Sequence, residues 1–478
     1  MRFRVVLVAL VFAACAGPAR LRPPDPPVEL ENRGFGGLPE EAAGKVLAHR
    51  WWSAFGDRGL DELVERAVKG NLDLRRAVAR IAEARAAAAR AGAVRVPAVT
   101  GSASAQRSRA PGKVVFGERV TDRYDLSAFL AYEVDLWGRL ANLEEATRLD
   151  LEAAREDAKR AYHLLVAEVV RAWLDLAGAL ERADVARRTL VADRQRLAVA
   201  EIRFQRGLVS ATDVHQALRQ VSDARARKAA FEQQAELARH RLRVLLGEYP
   251  GKWDDLAPEL PAVPGPVPAG LPSELLWRRP DLRAAARRYL GARARAAAAD
   301  ADRFPRLALT ASGGRASEGL RNLALGTSAF WNLIANLTQP LFDAGARRAA
   351  LAEAEARAEQ AFLAWGQAVL TALREVEDAL SMEEAQRRRL AALQGALRHA
   401  RQALGTAEIR YRRGLEEITR ALLARETLLA AELAEVEARH ALLLNRVSLY
   451  LALGGTWGHE AGVVGAAAPS GGHPTAVR

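Results

Sequence analysis

The chain is 478 residues long, half of them apolar and 27% charged, which excludes a disordered or collagen-like polypeptide and provides for a large core. A single cysteine rules out an intramolecular disulfide framework and a structural zinc site built on several thiolates. The balance of 70 Lys+Arg against 58 Asp+Glu gives a net +12, but Arg and Glu interleave with no basic block, as on solvated helices, so no nucleic-acid partner is expected.

Arg2 and Arg4 precede the apolar run Val5–Ala14, too short to span a bilayer and of the right length for a secretory signal. Phe12-Ala13-Ala14 then leads to Cys15, and this ending resembles a bacterial lipobox, in which the cysteine is lipidated and becomes the mature N-terminus. The alternative is an incidental cysteine within an ordinary signal peptide. One acyl-modified end anchors weakly unless other membrane contacts help. Ala16, in place of Asp, favours the outer membrane by the same resemblance. Five prolines in Pro18–Pro27 read as an extended tether.

Proline placement divides the remainder. None occurs between Pro111 and Pro250 or between Pro340 and Pro469, and helix interiors expel proline. Within Arg139–Arg206 the one glycine is Gly178; helical throughout, that stretch would reach roughly 100 Å. Val166, Val169, Trp173, Leu176 and Leu180 recur at three and four, as do Leu351, Ala358, Phe362, Trp365, Val369, Val376 and Leu380. Such seams predict long helices packed side by side as in a coiled coil, and an elongated, mainly α protein with a small β part.

The two halves repeat each other. Glu201-Ile202-Arg203-Phe204-Gln205-Arg206-Gly207-Leu208 matches Glu408-Ile409-Arg410-Tyr411-Arg412-Arg413-Gly414-Leu415 at an offset of 207, which also aligns Thr212 with Thr419 and Leu246-Gly247 with Leu453-Gly454. Asp73-Leu74-Arg75 and Pro97 match Asp281-Leu282-Arg283 and Pro305 at 208. Each half reads helix, short strands, long helix, glycine turn, shorter helix, with Gly207 and Gly414 at the hairpin tips. The expected segments are a signal (1–14), a lipidated tether (15–40), a first repeat (41–247), a Pro-rich connector (248–272), a second repeat (273–457) and a tail (458–478).

Strands are predicted where residues alternate, over Arg123–Glu133 and Ala329–Thr338, with Pro97–Arg107 and Pro305–Arg315 as weaker partners rich in Ala, Ser, Thr and Gly. Each is about ten residues long, the length a tilted strand needs to cross an outer membrane. The expected lipid-facing set is Tyr124, Leu126, Leu130 and Tyr132 with Trp331, Leu333 and Leu337. Four strands cannot close a barrel, so either they do not lie in lipid or several chains share one barrel. No Walker loop, dinucleotide fingerprint or His-Glu-x-x-His occurs, and the eight histidines are scattered. No cofactor, metal site or enzymatic activity is expected.

Trp51-Trp52-x-x-Phe55-x-Asp57, Tyr132-Glu133-Val134-Asp135-Leu136-Trp137-Gly138-Arg139, Leu271-Pro272-Ser273-Glu274-Leu275-Leu276-x-x-Arg279-Pro280-Asp281, Gln339-Pro340-Leu341-Phe342-Asp343-x-Gly345 and Leu453-Gly454-Gly455-x-Trp457 together resemble the outer-membrane factors of TolC/OprM type, from about Arg50 to Trp457. The resemblance implies a homotrimer in which each chain gives four strands to one barrel continuous with a helical tube through the periplasm. It implies an exit duct joined to a periplasmic adaptor protein and an inner-membrane pump of the resistance-nodulation-division class, anchored at Cys15. By the same resemblance Gly207, Leu208 and Thr212 with Gly414, Leu415 and Thr419 would present the tips to the adaptor, and Asp213 and Tyr411 match positions that hold neighbouring coiled coils closed. Family members commonly carry acidic residues six and nine positions past the second turn glycine; here these are Arg420 and Leu423, so an acidic ring is absent or relocated to Glu416 and Glu417. Two other readings are a lipidated periplasmic coiled-coil scaffold without a pore and a type I secretion exit duct.

Overall fold

The computed structural model describes residues 25–26, 50–110, 119–251, 253, 256–265 and 278–455. Cys15, the signal, the tether apart from residues 25–26, Leu271–Leu276, Trp457 and the tail 458–478 lie outside the described residues. After a 3-10 turn at Trp51–Phe55 come α1 (Arg58–Gly70), α2 (Leu72–Ala93), β1 (Ala98–Ala110), β2 (Arg119–Val134), α3 (Arg139–Gln205) and α4 (Ala211–Leu245). Then follow α5 (Pro280–Ala301), β3 (Arg306–Ser317), two 3-10 turns, β4 (Ala329–Thr338), α6 (Ala346–Arg412) and α7 (Ile418–Ala452). The duplication is visible in the boundaries: α6 and α7 begin and end 207 residues after α3 and α4, and α5 lies 208 after α2.

Two compact units form, and each draws on both repeats: one from Arg80–Arg155 and Ala284–Gln367, the other from Glu156–Arg283 and Ala368–Arg478 with the described part of Val28–Ala79. The first unit holds the sheet, antiparallel throughout in the order β1-β2-β3-β4. Three of the four strands run beyond the stretches expected from alternation. The polar ends stay in the ladder, with Arg107 opposite Asp122 and 3.4 Å from its carboxylate. Where strand leads back to helix, Trp137 stacks on Phe304 at 5.0 Å and its indole N–H donates to Pro305 O at 2.8 Å. Asp135 Oδ2 accepts the Ala141 N–H at 2.7 Å, capping the start of α3.

The second unit holds the main apolar core. Helix α1 begins at Asp57, whose carboxylate accepts the Gly59 and Leu60 N–H groups, and buries Leu60, Leu63, Val64 and Ala67 on one stripe. That stripe joins Val166, Val169, Trp173 and Leu176 of α3, Val376 of α6 and Leu443 and Val447 of α7, with Trp51 stacked on Tyr450 at 5.0 Å. Of the seams read from sequence, Val166, Val169, Trp173, Leu176, Ala358, Trp365, Val369 and Val376 are buried, while Leu180, Leu351, Phe362 and Leu380 are half-buried.

One ionic cluster is built on a buried arginine whose acidic partners stay partly exposed, Asp281 at 27% and Glu375 at 38%. The Arg279 side chain is 3% exposed and donates to Asp281 Oδ2 at 2.8 Å, Glu375 Oε2 at 2.7 Å and Ala452 O at 3.1 Å. Arg160 donates to the same Asp281 carboxylate. Burial works against the Asp281 anion, but hydrogen bonds and charge from Arg279, with Arg160 behind, outweigh it and hold its carboxyl below the usual range. The Arg-Pro-Asp motif therefore ties the start of α5 to α3, α6 and the end of α7.

Arg279→Leu leaves two carboxylates beside an empty guanidinium site and is expected to destabilise this unit by about 3–5 kcal/mol, read from urea unfolding. Because the folded pKa of Asp281 is depressed, its contribution is present at neutral pH and is lost as pH falls below about 4. Asp281→Asn is expected to flatten that part of the stability–pH curve.

Candidate functional site

Two regions carry the residues singled out from sequence, one in each unit. In the sheet, the register places Tyr124, Leu126, Leu130 and Tyr132 on the same face as Trp331, Leu333 and Leu337, because Leu126 lies opposite Arg315 and Arg315 opposite Ala329, while Leu130 lies opposite Ala311 and Ala311 opposite Leu333. All seven therefore share one face. Trp331 is 82% exposed, Leu333 70% and Leu337 68%, which is unusual for large apolar side chains at this density. Val99 of β1 joins them, and Leu341, just beyond β4, is 95% exposed. Neither was singled out, because Val99 begins a stretch of Ala, Ser and Gly and Leu341 follows a proline. The other face is polar: Ser102, Ser104 and Gln106 of β1, Ser127 and Asp125 of β2, and Asn332 and Asn336 of β4, with Ser312 Oγ donating to Asn332 Oδ1 at 2.7 Å. Phe129, Phe330 and Ile334 interrupt it. Among the described residues no strand lies beside the outer edge of β1 or of β4.

In the second unit, the chain reverses at Gly207 (φ 71°) and Gly414 (φ 73°), conformations that a Cβ would penalise. Both ends close alike: the Leu208 N–H donates to Arg203 O at 2.9 Å and the Leu415 N–H to Arg410 O at 3.0 Å. Leu208 and Leu415 are left exposed at 68% and 65%, and Thr212 and Thr419 are exposed too.

The side chains that follow are not duplicated. At the first tip Ser210 caps α4: its Oγ accepts the Asp213 N–H while Asp213 Oδ2 accepts the Ser210 N–H at 2.9 Å, a reciprocal capping box. The equivalent pair at the second tip is Glu417 and Arg420, and α7 starts with no side-chain cap. Asp213 is thus engaged locally and shares no hydrogen bond with Tyr411. Tyr411 instead accepts from Arg203, whose guanidinium also lies over its ring at 4.5 Å. Arg196–Glu408 at 3.2 Å and Arg219–Glu426 at 3.3 Å add ties of the same kind, so α3 and α4 are linked to α6 and α7 by charge. Sequence reasoning missed these; the only signal was that Arg219 and Glu426 occupy matching places in the repeat. Glu416 is paired with Arg410 at 3.4 Å, and Glu417, Arg420 and Leu423 are exposed. Deeper in the bundle Asp193 binds Arg196 at 2.8 Å; burial raises the Asp193 pKa more than that arginine lowers it.

Among the described residues no group of three His, Cys, Asp or Glu side chains could hold a metal ion, and no helix is long and apolar enough to cross a membrane. A family model described as outer membrane efflux protein matches residues 63–248 and 271–455. The chain is 35% identical over 462 residues to outer membrane protein OprJ of Pseudomonas aeruginosa, covering 95% of each. It is 30% identical over 456 residues to the cation efflux system protein CusC of Escherichia coli O6:H1, covering 94% of this chain and 97% of that one. Its fold matches the solved outer-membrane channel OprN with a TM-score of 0.84 at 32% identity, over 92% of this chain and 99% of that one.

The unequal tips give a direct expectation. Ser210→Ala removes a cap worth about 1 kcal/mol, so amide exchange in the first turn of α4 should speed up about fivefold. Glu417→Ala, which removes no cap, should leave exchange at the start of α7 unchanged.

Proposed function

The chain belongs to the outer membrane efflux protein family, and from that premise we propose that three copies pool their sheets into one barrel, through which cargo leaves the cell passively. As an outer-membrane efflux channel it needs no energy source of its own. The observation that carries the three-copy reading is the sheet: one exposed apolar face, one polar face and two unpaired edges. In hydrocarbon each unpaired backbone group costs several kcal/mol, so such a sheet is tenable only when closed. Tyr124, Leu126, Leu130, Tyr132, Trp331, Leu333 and Leu337 then face lipid, and the polar face lines the lumen. Cys15 carries the lipid anchor, a reading supported by its place directly after the apolar run.

The tips meet the adaptor. Leu208 and Leu415, held outward by the glycine turns, offer apolar contacts flanked by Thr212 and Thr419 to helical hairpins of a periplasmic adaptor, itself joined to a resistance-nodulation-division pump. The entrance is held shut by Arg203 on Tyr411, with Arg196–Glu408 and Arg219–Glu426; this role passes from Asp213, which the capping box occupies, to Arg203. Opening exchanges these ties for adaptor contacts, a modest bias on a two-state bundle. With Arg420 and Leu423 at the usual acidic positions and Glu416 tied to Arg410, Glu417 is the carboxylate left to set ion preference there.

Purified protein should run as a heat-modifiable oligomer and give discrete conductance steps in planar bilayers; a compact monomer that never permeabilises liposomes would overturn the reading. Arg203→Ala should raise single-channel conductance several-fold. Glu417→Gln should move the reversal potential in a salt gradient toward anion preference, and an unmoved potential would remove Glu417 from the entrance.

A further inference from the structure

The apolar face of the sheet does not stay apolar along its whole length, and its two ends differ in charge. Where the strands run into helices, acids and bases are matched: Arg139 holds Glu133 at 2.8 Å and Arg306 binds Asp302. At the opposite end, where β1 leads to β2 and β3 to β4, the register carries Arg107, Arg109 and Arg315 onto the face of Tyr124 and Leu126. Among the described strand residues, Asp122, opposite Arg107 and 3.4 Å from it, is the one acid on that face. On the polar face, by contrast, Arg123 is paired with Asp125 at 2.7 Å.

Arg315 also holds a neighbour in place. Its Nη1 donates to Leu323 O at 3.3 Å and to Ala324 O, which keeps the 3-10 turn Leu320–Ala324 on the apolar side of the sheet. That turn leaves Leu320 and the following Leu325 exposed at 66% and 53%, with Arg321 exposed between them. Along β2 the apolar face runs ten residues from Val134 to Tyr124, about 34 Å of strand and about 24 Å of height at a 45° tilt. Tyr124 closes that band as an interfacial aromatic does, and the arginines follow at its rim. Leucines interleaved with guanidinium groups suit the boundary where acyl chains meet anionic headgroups, and phosphate oxygens match the planar N–H fork of arginine.

Resting on the shared-barrel reading above, we propose that Arg107, Arg109, Arg315 and Arg321 form a seat for the phosphorylated headgroup of an outer-leaflet lipid, with Leu320 and Leu325 against its acyl chains. Arg107 and Arg315 stand four residues apart along the sheet and two strands apart across it, so roughly 17 Å separates their backbones. Side chains reaching from both sides of that span enclose a headgroup with more than one phosphate. Free phosphate offers the same anion without the chains, and would gain nothing from the two leucines.

Lipid retention by the full chain tests the seat. The protein in neutral detergent micelles is mixed with diphosphoryl lipid A, with phosphatidylcholine or with inorganic phosphate, and bound lipid is counted by native mass spectrometry. Lipid A is expected to be retained in preference to phosphatidylcholine and to resist displacement by inorganic phosphate. Arg107→Gln with Arg321→Gln should weaken its retention about thirtyfold, and Arg321→Gln alone, in a turn outside the sheet, about fivefold. Arg123→Gln, on the other face, should leave retention as it is. Equal retention of both lipids, or retention of lipid A unmoved by Arg321→Gln and by the double substitution, overturns the seat while leaving the barrel standing. Displacement of lipid A by inorganic phosphate assigns the arginines to a free anion and overturns the lipid reading. Failure of the unsubstituted protein to form a conducting oligomer overturns the shared barrel, and the seat with it.

Discussion

A β-strand presents backbone N–H and C=O groups along its edges, and hydrocarbon offers them no partner. Water would tolerate the open edges of β1 and β4, and a soluble protein would blunt them with charge, bulges or a covering helix. Here β4 carries Trp331, Leu333 and Leu337 outward on one face and no charged side chain anywhere along its ten residues. An edge this apolar is not designed for solvent. Under the shared-barrel proposal a neighbouring copy completes the ladder, and polar cross-strand contacts such as Ser312 to Asn332 lie on the face opposite the large apolar residues.

The duplication meets that requirement economically. Two hairpins of one design, β1–β2 and β3–β4, already pair through β2 and β3, so the means of joining hairpins is encoded inside each chain. The helices obey the same rule in their boundaries, and the tips in their backbone turns: Gly207 and Gly414 share one conformation and one pair of closing hydrogen bonds.

The side chains have diverged where the two halves do different work. Ser210 and Asp213 lock the first turn of α4, while Glu417 and Arg420 leave α7 uncapped. Arg203 faces Tyr411, and Arg196 faces Glu408, across the two halves and not within either one. Charge-assisted contacts of this kind are modest individually when half-exposed, so a set of them can hold a bundle and still be exchanged for other partners. Arg279 is of the opposite kind: almost fully buried and paired with both Asp281 and Glu375, it is costly to disturb.

The repeat, the long helices, the positions of the glycine turns and the apolar face of the sheet were legible in the amino-acid sequence, because each depends on local rules: proline exclusion, periods of 3.6 and 2, and positive φ at a reversal. Alternation alone puts Tyr124, Leu126, Leu130 and Tyr132 on one side of β2 and Trp331, Leu333 and Leu337 on one side of β4, while the register through β3 brings the two sets to one face. What the sequence could not reveal was which polar groups meet. Asp213 pointed to a link with another helix, and the structure turns it back on Ser210; Tyr411 finds Arg203, some two hundred residues away in the chain. The strand ends, the Arg279 cluster and the division into two units that each mix both repeats were likewise decided by tertiary packing. Backbone periodicity is written into neighbouring residues, whereas the pairing of charges depends on which helices the fold places side by side.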